Sequence, residues 1–118
     1  PAQAMLHALF SLAGTRVNPP LNALLQAANA AASQARWPEA LALLQQAHHA
    51  APRDPGILMR VAHALRETGD GEGEVRAIEA ALTADPYFLP ALLAKAAIAE
   101  RNAGWRKAAP LYRNALAA

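Results

Sequence analysis

Four histidines, His7, His48, His49 and His63, are the side chains of this 118-residue chain best suited to acid–base or metal chemistry. Their spacing assembles no site. A helical zinc motif needs two His one turn apart with a Glu between them, and no pair here has that interval. His48 and His49 are adjacent, so on a helix their rings diverge by about 100° and cannot converge on one ion. One edge contact and one solvated ring are expected instead. Glu72 and Glu74 look like a carboxylate pair for acid and base work, yet they flank Gly73 at an expected helix start, where exposed amides favour negative charge. Glu72 also faces Arg76 one turn on. The chain has no Cys, which excludes disulfides and thiolate metal sites. Neither a phosphate-cradling glycine loop nor a nucleophile with a base at a readable spacing is present. No enzyme, no cofactor and no metal site are expected.

Cations offer a second chemistry. Arg101, Arg106, Lys107 and Arg113 form a basic cluster near the end of the chain, and phosphate binding needs several cations on one face. These four are spread over two expected helices, with only Trp105 and Tyr112 for stacking, so a solvated outer face is expected and no nucleic-acid partner. The net charge of +2 is small. No apolar run reaches the roughly 18 residues of a membrane span, and no membrane partner is expected. A reducing, cytoplasmic setting agrees with the missing Cys. Pro1 in the place of an initiating Met points to a processed or cut start.

The elements that would position these groups are helical. Apolar residues recur at intervals of three and four between Leu21 and Ala35 and between Pro55 and Thr68, and no sustained period of two predicts a strand. Asn18, Asp54 and Asp70 are expected N-caps, and Pro38 and Pro90 fit helix starts. Pro110 lies about one turn into the last expected helix, where its ring opposes the carbonyl four residues back. A kink or a later helix start is expected there. Ala2 to Ala13 reads as an apolar helix closed by Gly14, a capping or degenerate half-repeat helix within residues 1–20. The rival reading of that segment is an exchanged helix that makes a dimer. A hydrophobic content of 54% supplies one core, thin because so much of it is Ala.

A fixed period organises the whole. Trp37 and Trp105 lie sixty-eight residues apart and Pro52 and Pro86 thirty-four, which divides the chain into 21–54, 55–88 and 89–118. In register are Leu24, Leu58 and Leu92; Ala28, Ala62 and Ala96; Leu44, Ile78 and Tyr112; Ala47, Ala81 and Ala115. Small columns beside large ones are what close helix packing needs. With Ala40, Gly69, Ala108 and the closing Pro52 and Pro86, this pattern resembles the tetratricopeptide repeat. The resemblance implies an all-α, right-handed superhelical solenoid of three helix-turn-helix units with an additional N-terminal helix, and a role in protein–protein interaction. Glu74 departs from it where a tightly packed Ala is usual, Lys95 where the site should be apolar, and Gly104 stands one place late.

In such arrays the first helix of each pair lines a concave groove. Carried onto this chain, that face comprises Asn22, Leu25, Asn29, Ser33, Met59, Arg60, His63, Arg66, Glu67, Leu93, Ala97 and Glu100. Leu25, Met59 and Leu93 would make an apolar track. Asn29, Arg60 and His63 supply directed donors for an extended peptide, with Arg66 on the same helix face. Family members that clamp acidic chaperone tails carry other residues at Leu25, Arg60, Pro90 and Ala94, and only Asn29 matches; a chaperone tail is not expected. Asp85 to Ala118 is similar to repeat segments before the catalytic domain of bacterial aspartyl/asparaginyl β-hydroxylase-like proteins, which implies a substrate-positioning or assembly module. Leu111, Ala115 and Leu116 have no following helix to cover them, which implies a homodimer through that end or a cut from a longer protein. Both Trp are expected to pack at helix-pair turns, away from the binding face.

Overall fold

In a computed structural model that describes residues 19–117, every regular element is an α-helix: α1 Leu21–Ser33, α2 Trp37–Ala50, α3 Pro55–Glu67, α4 Gly71–Ala84, α5 Leu89–Ala103 and α6 Trp105–Ala117. The starts at Leu21, Pro55 and Leu89, and those at Trp37, Gly71 and Trp105, each repeat at thirty-four residues. The helices pack in consecutive pairs, α1 on α2, α3 on α4 and α5 on α6, as a helical repeat requires. The expected helix within residues 2–13, and the expected cap at Asn18, lie outside the described residues.

Local chemistry explains most of the boundaries. The Asp54 carboxylate accepts from the Gly56 and Ile57 amides, at 2.9 and 3.4 Å, and Asp70 accepts from the Gly73 amide at 2.8 Å. Each satisfies amides that the helix leaves orphaned. Pro38, Pro55 and Pro90 stand in first turns, where a missing N–H costs nothing. α1 begins after Pro20 with no side-chain cap.

The α1–α2 turn ends its helix two residues before the expected Ala35. The Ala35 amide donates to the Ala32 carbonyl and the Arg36 amide to Ala31, at 3.0 and 2.9 Å, which is a Schellman closure. The α3–α4 turn repeats it: Gly69 donates to Arg66 at 3.1 Å and Asp70 to Leu65 at 2.8 Å. Gly69 takes φ of 88° without penalty, but Ala35 is held at φ 57°, a conformation that costs a residue with a Cβ about 1–2 kcal/mol. Ala35→Gly is therefore expected to stabilise the chain by about 0.5–1 kcal/mol, the relief less the extra freedom that Gly loses on folding. A urea midpoint that falls in this variant would contradict the assignment.

The third pair is built differently. α5 runs on to Ala103, and Gly104 alone makes the turn at φ 87° and ψ 172°, a region essentially reserved for Gly. This is why Gly104 stands one place late in the repeat while Trp105 keeps its register. α6 starts at Trp105 and contains Pro110 within its span, so of the kink or later start expected at the proline, the later start does not occur. Pro110 withholds one hydrogen bond from α6 without ending it.

The core follows the columns of the period. Leu24, Leu43, Leu44, Ile57, Leu58, Val61 and Ile78 are buried, and Ala28, Ala62 and Ala96, with Ala47, Ala81 and Ala115, are all 2% exposed or less. In α5 and α6 the buried residues are Ala alone: Ala91, Ala96, Ala108 and Ala115. Apolar burial is correspondingly poorer there, and the packing of α4 on α5 is the sparsest between neighbouring helices. Two charged departures from the repeat meet at that junction. Glu74, 9% exposed, pairs with Arg101 at 3.7 Å, and Lys95 reaches Glu79 at 3.2 Å. Ion pairs across the junction stand where Ala and an apolar residue would have packed.

Candidate functional site

Small residues border one of the hollows among the described residues. Ala28 and Ala32, one turn apart on α1, leave a recess of about 380 Å³, closed by Trp37 and Leu44 of α2 and by Met59, Arg60 and His63 of α3, with Asn29 at its edge. That volume lies in the lower part of the about 300–1,000 Å³ range of ligand pockets.

Two contacts shape its rim. Arg60 Nη1 donates to Asn29 Oδ1 at 3.1 Å, joining α1 to α3 across thirty-one residues. This bond leaves the Asn29 amide hydrogens and the other guanidinium hydrogens of Arg60 available as donors. The Trp37 ring stands edge-on to His63, with centroids 5.0 Å apart and planes at 76°, an arrangement aromatic quadrupoles favour. No carboxylate lines the recess. It therefore offers an apolar floor beside donors and one positive charge.

Of the groove residues expected from the sequence, Asn29, Met59, Arg60 and His63 come together here. Leu25 is half-buried against the core, and Arg66 is exposed beyond the recess. Leu93 is 39% exposed on α5, also outside it. Ser33 and Glu100 serve internal bonds: Ser33 Oγ donates to the Ala30 carbonyl at 2.8 Å, and Tyr112 Oη donates to Glu100 Oε2 at 2.8 Å. That bond to Glu100 holds the Tyr112 phenol above its ordinary pKa, with desolvation and the carboxylate charge acting in the same direction.

Trp37 is the residue that sequence reasoning assigned to structure alone. It does pack on the core, and it also walls the recess. The sign available in the sequence was the pair Ala28 and Ala32 beside the start of α2, since a large ring covers what two small residues leave open. Trp105, its counterpart in the period, is 66% exposed and does not pack into its turn. No first helix of a following pair stands against Trp105 among the described residues, whereas Trp37 meets His63 on α3.

A wider cleft of about 650 Å³ at the α4–α5 junction is lined by Glu72, Glu74, Arg76 and Arg101, with Gly71, Val75, Ile98 and Asn102. Its charges answer one another, Glu74 with Arg101 at 3.7 Å and Glu72 with Arg76 at 4.0 Å. The other two described histidines lie outside both hollows as a pair with no shared partner. His48 is half-buried with Nδ1 lacking a hydrogen-bond partner, and His49 is exposed. Among the described residues no group of three or more His, Cys, Asp or Glu stands together to hold a metal ion. No helix among them is long and apolar enough to cross a membrane.

No protein-family model matches the chain, and no curated protein matches it.

Proposed function

We propose that the chain is a tetratricopeptide-type interaction module, its three helix pairs stacked as a superhelix, which binds an extended peptide segment across the first helices of its first two pairs. One observation carries this reading: the apolar recess walled by Trp37 and Met59 is also lined by Asn29 and Arg60, a hydrogen-bonded pair that keeps further N–H donors. An apolar side chain of the peptide enters the recess. The adjoining peptide carbonyls accept hydrogen bonds from the Asn29 amide and the Arg60 guanidinium. His63, exposed and braced by Trp37, bounds the position of the next residue.

Panning a display library of short peptides against the chain is expected to enrich sequences with one invariant apolar residue. A synthetic peptide of the enriched sequence should bind at least about tenfold more weakly to the Met59→Ala/His63→Ala variant, a loss of about 1.4 kcal/mol. Circular dichroism serves to show that the variant is folded. Equal affinities would move the site elsewhere, and the absence of any enriched sequence would remove the peptide reading.

A further inference from the structure

Helix α6 presents a surface that the groove does not use. Trp105 and Leu116 are eleven residues apart, about three turns, and so stand on one stripe; they are 66% and 83% exposed. Ala109 and the half-buried Tyr112 lie between them on the same stripe, while Ala108 and Ala115 on the inner flank are buried. Arg106 and Arg113, seven residues apart, border the stripe on its solvent side, with Lys107 further round and all three exposed. α6 contains no carboxylate. Glu100 of α5 is engaged by the Tyr112 hydroxyl at 2.8 Å, and Arg101 is turned to Glu74. Among the described residues, Arg106, Lys107 and Arg113 have no carboxylate partner.

An exposed Trp and Leu bordered by unpaired Arg is the anatomy of a protein interface, an aromatic anchor with a charged rim. The charge selects the occupant. A second copy of the chain docked symmetrically through this face would bring Arg106 of one copy towards Arg113 of the other, and like charges so placed oppose docking. Carboxylates flanking an apolar stripe complement it. We infer that the outer face of α6 docks an acidic amphipathic helix of a partner protein, whose apolar residues cover Trp105 and Leu116 and whose carboxylates meet Arg106 and Arg113. This surface is separate from the groove and does not depend on it.

The test uses a panel of fluorescein-labelled synthetic helices with Leu at i, i+3, i+4 and i+7 and Glu on both flanks, with Lys-flanked copies as controls, read by fluorescence anisotropy. Acidic members should bind, and their affinity should fall as salt rises. It should drop at least about tenfold with Arg106→Gln/Arg113→Gln and with Trp105→Ala/Leu116→Ala, while Met59→Ala/His63→Ala leaves it unchanged. All the replaced α6 residues are exposed, and matching thermal melts would show that the fold is retained. Four outcomes overturn the proposal: no acidic member binding, equal binding of the Lys-flanked copies, no loss in the charge variant, or a solution dimer broken by Leu116→Ala. Binding to phosphatidylserine vesicles without binding to the acidic helices would overturn it too, in favour of a lipid surface.

Discussion

Replacing Leu43 with Ala is expected to lower the unfolding free energy by about 2–5 kcal/mol, the range for a large buried aliphatic truncated in a core that cannot close over the gap. Leu43 and Leu24 are the largest fully buried side chains, and Leu43 is 0% exposed. Collapse around the gap is restricted because much of the core cluster to which Leu43 belongs is Ala, including Ala28, Ala47, Ala62 and Ala64. An Ala has no rotamer with which to fill a void. A domain of this size has about 5–15 kcal/mol in total, so the variant should approach the threshold of folding. Leu116→Ala is the control, because at 83% exposure the same substitution should change stability by no more than about 0.5 kcal/mol. Urea denaturation of both measures the contrast. A loss below about 1 kcal/mol at Leu43 would show that the pairs shift to close the gap.

The second large effect concerns binding. Trp37→Ala is expected to weaken the peptide enriched by panning about thirtyfold, or about 2 kcal/mol, as for an aromatic hot spot in a desolvated recess. Trp37 also packs on the core, so some stability will be lost as well, and the two effects need separating. Trp37→Phe keeps an aromatic wall against His63 and should retain most of the stability while recovering part of the affinity. Trp105→Ala removes the same residue type at the corresponding place in the period, from a side chain 66% exposed, and should leave groove affinity unchanged. Titration calorimetry with each variant would decide. If Trp37→Ala binds as tightly as the parent, Trp37 is structural and the proposed recess does not take the anchor.

Asp54 and Asp70 were legible as caps because a carboxylate two or three residues before an amide finds it without help from the rest of the chain. The starts of α2, α4 and α6 were legible for a similar reason, since the repeat returns Trp37, Gly71 and Trp105 to the same register. The α1 terminus was misplaced because Ala is the best helix former, and nothing local announces that Ala35 will be bent to φ 57°. The paired hydrogen bonds of the turn impose that angle. At Pro110, of the kink or later start expected, the later start does not occur. A proline is a strong local stop signal, but packing buries Ala108 and Ala115 on either side of it, and that burial carries the helix through.

The candidate site divides along the same line. Asn29, Met59, Arg60 and His63 could be named from their places in the repeat, whereas it could not be read there that Trp37 lines the same recess and that Leu25, Arg66 and Leu93 lie outside it. By itself the amino-acid sequence determined an all-helical chain of paired elements, their period and most of their ends, because caps, prolines and apolar spacing act within a few residues. Tertiary structure alone decided that Asn29 bonds Arg60, that Trp37 meets His63, that Glu74 faces Arg101 and that Trp105 stays in solvent. Those outcomes depend on how side-chain volumes set one helix pair against the next, and such a contact between distant residues leaves no local trace in the chain.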